Sequence, residues 1–192
     1  DLLNNIRFNG HPRLYYVLVY LVQSATDTPI VLSFLNLAFV LGALSFFVKA
    51  APFSSLQKLL FCIGFFPVYQ YGVIARSYAI LLFLLLWYAW LMIRRPDRKA
   101  LRLLVLALLP QVHLLGLAAS GVLLLFEALP FFGEMRAWSR TTWTAAIIVL
   151  ISMGLSALQM MPPDGDMAVV KPAGFDDIVN GFANGFFPGF GI

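Results

Sequence analysis

Charged side chains are scarce in this sequence: 11% of its 192 residues are Asp, Glu, Lys or Arg, against a hydrophobic share of 61%. A soluble domain carries roughly a quarter of its residues charged, so the shortage excludes an ordinary water-facing surface. Cysteine is scarcer still. Cys62 is the only one, which excludes an internal disulfide, and its apolar surroundings make it a small buried side chain. No set of His, Asp, Glu or Cys has metal-ligand spacing. No phosphate-binding glycine loop, dinucleotide motif or nucleophile elbow occurs. Asn180-Gly181 and Asn184-Gly185 are turn signals, and Asn180-Gly181-Phe182 is not a glycosylation acceptor. The net charge of +4 does not point to nucleic acid.

What is present is a series of long apolar runs. Thr28–Val48, Leu59–Ala75, Ser77–Ile93, Leu103–Phe126 and Thr141–Pro163 contain no charged residue. Crossing the hydrocarbon core takes about 20 apolar residues, with a range of about 17–25. Runs of this length, repeated, predict an all-α chain: a polytopic transmembrane helix bundle of about six to seven membrane helices, some short or broken. The transmembrane domain is expected over 1–161 and an external segment over 162–192. Asp1 in place of Met and a closing Gly/Phe/Pro stretch, Asn180–Ile192, lead us to expect an internal piece of a longer protein.

The basic residues fall in three groups: Lys49 with Lys58, the run Arg94-Arg95-Pro96-Asp97-Arg98-Lys99 with Arg102, and Arg136 with Arg140. Basic loops favour the cytoplasmic side. Placing all three inside makes Thr28–Val48 run inward, Leu56–Tyr71 outward, Ser77–Ile93 inward and Thr141–Met161 outward. The stretch Ala100–Phe132 would be about 50 Å as one helix, too long for a single span. Two short helices meeting near Pro110–Gly116 resolve this, since proline removes an amide donor and bends the chain. His113 is then expected at the bottom of a dent in the outer face. Pro12–Ser24 is a further short helix, either a tilted span or a helix lying on that face.

Few polar groups remain near the outer side. His11-Pro12-Arg13 opens the first helix, Tyr69-Gln70-Tyr71 ends one span, and Arg76-Ser77-Tyr78 begins the next. Arg76 is a lone cation on the side that basic residues avoid. It reads either as an anion clamp, because guanidinium grips phosphate oxygens in a fork, or as an interfacial arginine snorkelling to headgroups. His11 and His113 read alternatively as a helix cap and a core histidine. Glu127, near the inner end of its helix, reads as snorkelling or paired.

The order His11-Pro12-Arg13-Leu14-Tyr15-Tyr16, then Ala75-Arg76-Ser77-Tyr78-Ala79, a basic loop and His113 resembles the GT-C glycosyltransferases that use polyprenyl-phosphate sugars, the family of protein O-mannosyltransferases and the lipid A aminoarabinose transferase. The resemblance covers roughly Gly10 to Phe132. It implies a GT-C-like fold in a cell membrane, that of the bacterial inner membrane, with the active site facing outside or the periplasm. The partners implied are a lipid-linked sugar donor and a lipid, glycan or protein acceptor. Arg76 would match the arginine near the donor phosphate, His11, Tyr15 and Tyr78 would line the same cavity, and His113 would match the histidine at a helix break. Tyr16, Gln70 and Tyr71 would extend the lining. No cofactor is implied, and a divalent metal is left open. The family's catalytic base is an Asp of the first external loop, expected upstream of Asp1. Two positions depart from the pattern: its second proline is Arg13 here, and the acidic residue before the Ala-Arg pair is Ile74. The alternative reading is a transporter or flippase subunit for a lipid-linked or anionic substrate.

Overall fold

A computed structural model describes residues 12–26, 28, 30–73, 76–129 and 138–160, all within the compact unit Asp1–Met161. His11, Arg136 and the segment 162–192 lie outside these residues, as do the side chains of Gln70, Gly72 and Val73. Every regular element among the described residues is helical, with no strand. In chain order they are α1 (Leu14–Ala25), α2 (Ile30–Ala50), α3 (Ser55–Cys62), a π-helical segment (Phe66–Val73), α4 (Tyr78–Arg94), α5 (Lys99–Leu108), a 3-10 turn (Leu109–Gln111), α6 (Leu114–Ala128) and α7 (Arg140–Met160).

The charge-free runs explain the longest of these. With 21 residues each, α2 and α7 are the two described helices long and apolar enough to cross a membrane, at about 31 Å apiece. Three more, α1, α4 and α6, are apolar but shorter.

The run Leu56–Tyr71 is not the single span its composition predicts. Ser54 and Gln57 start α3 with a reciprocal capping box, yet the helix stops at Cys62. Pro67 has no amide N–H for the carbonyl of Ile63 and crowds the preceding turn. Gly64 sits so close to the carbonyls of Phe61 and Leu60 that a Cβ there would meet them at 3.1 and 3.2 Å. The chain re-forms as the wider π-helix, and the buried Asn36 amide of α2 donates to the carbonyl of Tyr71. A polar side chain on an otherwise apolar helix thereby ties down an irregular backbone.

The second break is stabilised from a distance. Pro110 cannot donate to the carbonyl of Leu106, so α5 ends in the 3-10 turn. Ser120 of α6 donates to the Leu106 carbonyl at 2.8 Å. From α7, Ser152 and Ser156 donate to the carbonyls of Ala107 and Pro110, both at 2.6 Å. Gln111 is held by the Ser152 carbonyl and hydroxyl at 2.8 and 3.0 Å. Broken helices are tolerated at membrane depth when neighbouring side chains take up the freed backbone groups in this way.

Around these breaks the helices pack through two seams. α2 lies along α4 and the π-helix, with Gly42 under the Phe83 ring and Phe46 stacked against Trp87 at 6° between planes. α5 lies along α7 and α4, where Leu84, Leu91, Leu103, Leu106 and Val149 form the buried core. The outward faces are apolar: Phe34 is 62% exposed and Leu158 65%. Inside are Asn36, Arg102, Ser120, Glu127, Ser152 and Ser156. The core is apolar and carries a minority of polar groups, and it is the extent of exposed apolar surface that departs from a water-soluble domain.

One end of the bundle gathers the basic loops. Arg102, 6% exposed, forks onto Glu127, 3% exposed, through Nε–Oε1 at 2.8 Å and Nη2–Oε2 at 3.0 Å. Tyr88 donates to the same carboxylate at 3.0 Å, Lys99 approaches it at 3.7 Å, and Arg102 also bonds the Pro96 carbonyl. Glu127 is thus paired and locks α4, α5 and α6 together. At the same end Lys58 and Arg94 bond the carbonyls of Val48 and Lys49, the last turn of α2, where cations suit the helix dipole.

Candidate functional site

The other end of the bundle is hollow. A cavity of about 330 Å³ is walled by Pro12, Tyr15 and Tyr16 from the start of α1, Arg76, Ser77 and Tyr78 from the start of α4, and Val112 and His113 from the start of α6. Arg76, Tyr15, Tyr16, Tyr78 and His113, dispersed over a hundred residues of sequence, are therefore neighbours. Tyr71 lies just behind them, its ring 5.9 Å from that of Tyr78, and is not part of the wall. Gln70 falls in the π-helix, with its side chain outside the described set, and His11 lies outside the described residues altogether.

Each wall residue is held by its element. Pro12 is fully buried one residue before the α1 cap, where its ring fixes the direction from which the chain enters the helix. The Arg13 amide donates to Gln159 at 3.2 Å, and Gln159 reaches Gln111 at 3.4 Å, so the starts of α1 and α6 are tied to the end of α7. Tyr15 and Tyr16 meet edge to face at 5.9 Å.

His113 is 8% exposed and caps α6: its Nδ1 accepts the Leu115 amide at 3.1 Å. The neutral ring therefore carries its proton on Nε2. Its ring lies 4.8 Å from that of Tyr78. His113 is thus a buried residue that caps its helix by accepting a backbone amide, and it also stands in the cavity wall. Gly116 makes the approach feasible, because a Cβ there would lie 2.0 Å from the Leu109 carbonyl oxygen.

The electrostatics of the cavity have one sign. Helices α1, α4 and α6 all begin at it, and each N-terminus turns the positive end of its dipole toward it. The exposed guanidinium of Arg76 adds a full charge. Tyr15 stands near enough for that charge to act on its hydroxyl. Ser77 makes no capping bond, so its hydroxyl is not consumed by α4. Among the described residues the only carboxylates are Asp97 and Glu127, both at the basic end. No group of three or more His, Cys, Asp or Glu that could hold a metal occurs among the described residues. Such a wall has the charge and donors that suit an anion.

Sequence reasoning missed three contributors: Asn36 was a lone amide in an apolar run, and Gln111 and Gln159 were polar residues near run ends. A second hollow of about 580 Å³ lies between α2 and the broken α3, lined by apolar side chains such as Phe34, Leu37, Leu41 and Val68 together with Cys62.

Comparison with protein-family models, with curated proteins and with solved structures finds no match to this chain.

Proposed function

We propose that this protein is a multi-pass membrane glycosyltransferase that moves a sugar from a polyprenyl-phosphate donor to a lipid, glycan or protein acceptor at the external face. The observation that carries the reading is the cavity itself: three helix N-termini, Arg76 and tyrosine hydroxyls around one space with no described carboxylate in its wall. A phosphate that must leave with negative charge is stabilised by donors fixed in advance in a poorly hydrated site. The tyrosine rings suit the flat faces of a sugar. The largely apolar exterior favours a bilayer around the bundle, and the basic end favours placing the cavity on the external side. On this reading the helices make six to seven membrane passages, some of them short or broken. The general base would come from the region that the resemblance places upstream of Asp1.

Membranes carrying the protein should consume a radiolabelled polyprenyl-phosphate sugar. Arg76→Ala should lower that consumption by about 10²-fold or more with membrane insertion unchanged, since the side chain is exposed and supports no packing. Unchanged consumption would remove Arg76 from the site. One observation favours the transporter alternative: the apolar segment of α3 with the π-helix is broken, and discontinuous helices often mark transport sites. Movement of the intact lipid-linked sugar across sealed vesicles, without cleavage, would decide for transport.

A further inference from the structure

The basic end carries a constellation that the transfer chemistry does not use. Lys58 of α3 donates from Nζ to the Val48 carbonyl at 2.9 Å, and Arg94 of α4 donates from Nη2 to the adjacent Lys49 carbonyl at 2.8 Å, both at exposed positions. Two cationic heads are therefore anchored on neighbouring carbonyls of one helix end. An ammonium has three donors and a guanidinium five, and each spends one here. The end of α2 offsets only about half a charge. Neither cation forms an ion pair among the described residues, since Asp97 faces Arg98 and Glu127 is held by Arg102 and Lys99.

The apolar hollow of about 580 Å³ lies between the same α2 and α3, and its lining includes Leu44 and Cys62. Leu44 precedes Lys49 on α2, and Cys62 follows Lys58 on α3, so the hollow begins about 6–8 Å along the helix axes from the cations. It continues past Leu41 to Phe34, about 15 Å further. Leu41 and Phe34 are exposed, so the hollow opens sideways. An apolar hollow offers water too few partners, whereas a hydrocarbon chain fits it.

Resting on the bilayer placement above but not on sugar transfer, we infer that α2, α3 and the end of α4 form a site for one anionic phospholipid of the cytoplasmic leaflet. Lys58 and Arg94 receive its phosphate, and an acyl chain lies in the hollow. Clustered cations at the cytoplasmic surface attract anionic headgroups. A free phosphate would leave the hollow unfilled, and a zwitterionic lipid would bring its own cation up to these two.

The test exchanges the purified protein in detergent against equal amounts of phosphatidylglycerol and phosphatidylcholine and counts retained lipid by native mass spectrometry. One phosphatidylglycerol should be kept in about tenfold or greater preference, the strength of about two cations near a charged surface. Lys58→Gln combined with Arg94→Gln should remove that preference. Arg140→Gln, which takes an exposed charge from the start of α7, should leave it. Leu41→Trp narrows the hollow without touching either cation and should also lower retention of phosphatidylglycerol, which keeps the inference testable if the double variant fails to fold. Equal retention of the two lipids, or equal losses from Arg140→Gln and the double variant, would leave only the general attraction of a basic face and overturn the inference. Full displacement by glycerol 1-phosphate, or unchanged retention in Leu41→Trp, would overturn it as well. A phosphatidylglycerol preference in a protein that consumes no lipid-linked sugar would keep this inference and remove only the transferase reading.

Discussion

Replacing Gly116 by Ala isolates the contact on which the cavity wall depends. The added methyl would sit 2.0 Å from the Leu109 carbonyl oxygen, 2.7 Å from its carbon and 3.2 Å from Cδ1 of Leu81. The first two atoms are backbone, so no side chain can swing aside. The 3-10 turn and the start of α6 must separate by about 1 Å or more to reach ordinary van der Waals distance. Overpacking of this kind costs about 1–3 kcal/mol. The same displacement stretches the bonds from Ser156 to the Pro110 carbonyl and from Ser152 to the Ala107 carbonyl, worth about 0.5–1.5 kcal/mol each. Together these give a loss of roughly 2–6 kcal/mol, or a fall of roughly 4–24 °C in Tm for a chain of this size. Thermal unfolding in detergent, followed by a thiol-reactive dye at the single cysteine, Cys62, measures it directly. Gly154→Ala is the matched control: it lies in α7 with no heavy atom within 4 Å of the added methyl, so its effect should stay within about 1 kcal/mol. A Gly116→Ala protein that melts within 2 °C of the wild type, on the order of the smallest shift expected per kcal/mol, would refute the argument. So would a control that falls equally far.

Two further substitutions probe the other fixed points. Glu127→Gln leaves Arg102 buried without its counter-charge and should cost about 3–5 kcal/mol, whereas the double change Arg102→Met with Glu127→Leu should cost clearly less; equal losses in thermal unfolding would show that the pair is not an isolated unit. Asn36→Leu removes the donor to the Tyr71 carbonyl and should cost about 1–3 kcal/mol, seen as faster amide exchange across Phe66–Val73, and unchanged exchange there would mean that the π-helix is held by other contacts.

Local signals read well in this sequence and distant ones did not. The charge-free runs located α2, α4 and α7 because lack of charge over some twenty residues is a property of the run itself. Pro110 located the break between α5 and α6 for the same reason. Pro67 and Gly64 carried an equally local signal, but the apolar run around them outweighed it, and a continuous span was expected where α3 ends at Cys62. The partner of Glu127 was present in the sequence, but Arg102 was grouped with the loop cations, and only folding shows that its side chain turns inward. The serine bonds to Ala107 and Pro110 join residues more than forty positions apart, and nothing in either segment alone announces them. The cavity was legible as a set of residues and illegible as an electrostatic object, because helix N-termini act through the backbone, where side-chain identity says little.

The serine contacts across the second break have a consequence for biogenesis. The carbonyls of Ala107 and Pro110 are exposed by the break, and the hydroxyls that satisfy them belong to α7, which leaves the ribosome later than α5 and α6. In the multi-pass arrangement proposed above, hydrocarbon supplies no water to bridge the delay. The α5–α6 hairpin therefore has reason to stay beside the insertion machinery, or against a helper protein, until α7 arrives. A nascent chain stopped before Ser152 would expose raw backbone to lipid, an error that membrane quality control could recognise by chemistry alone.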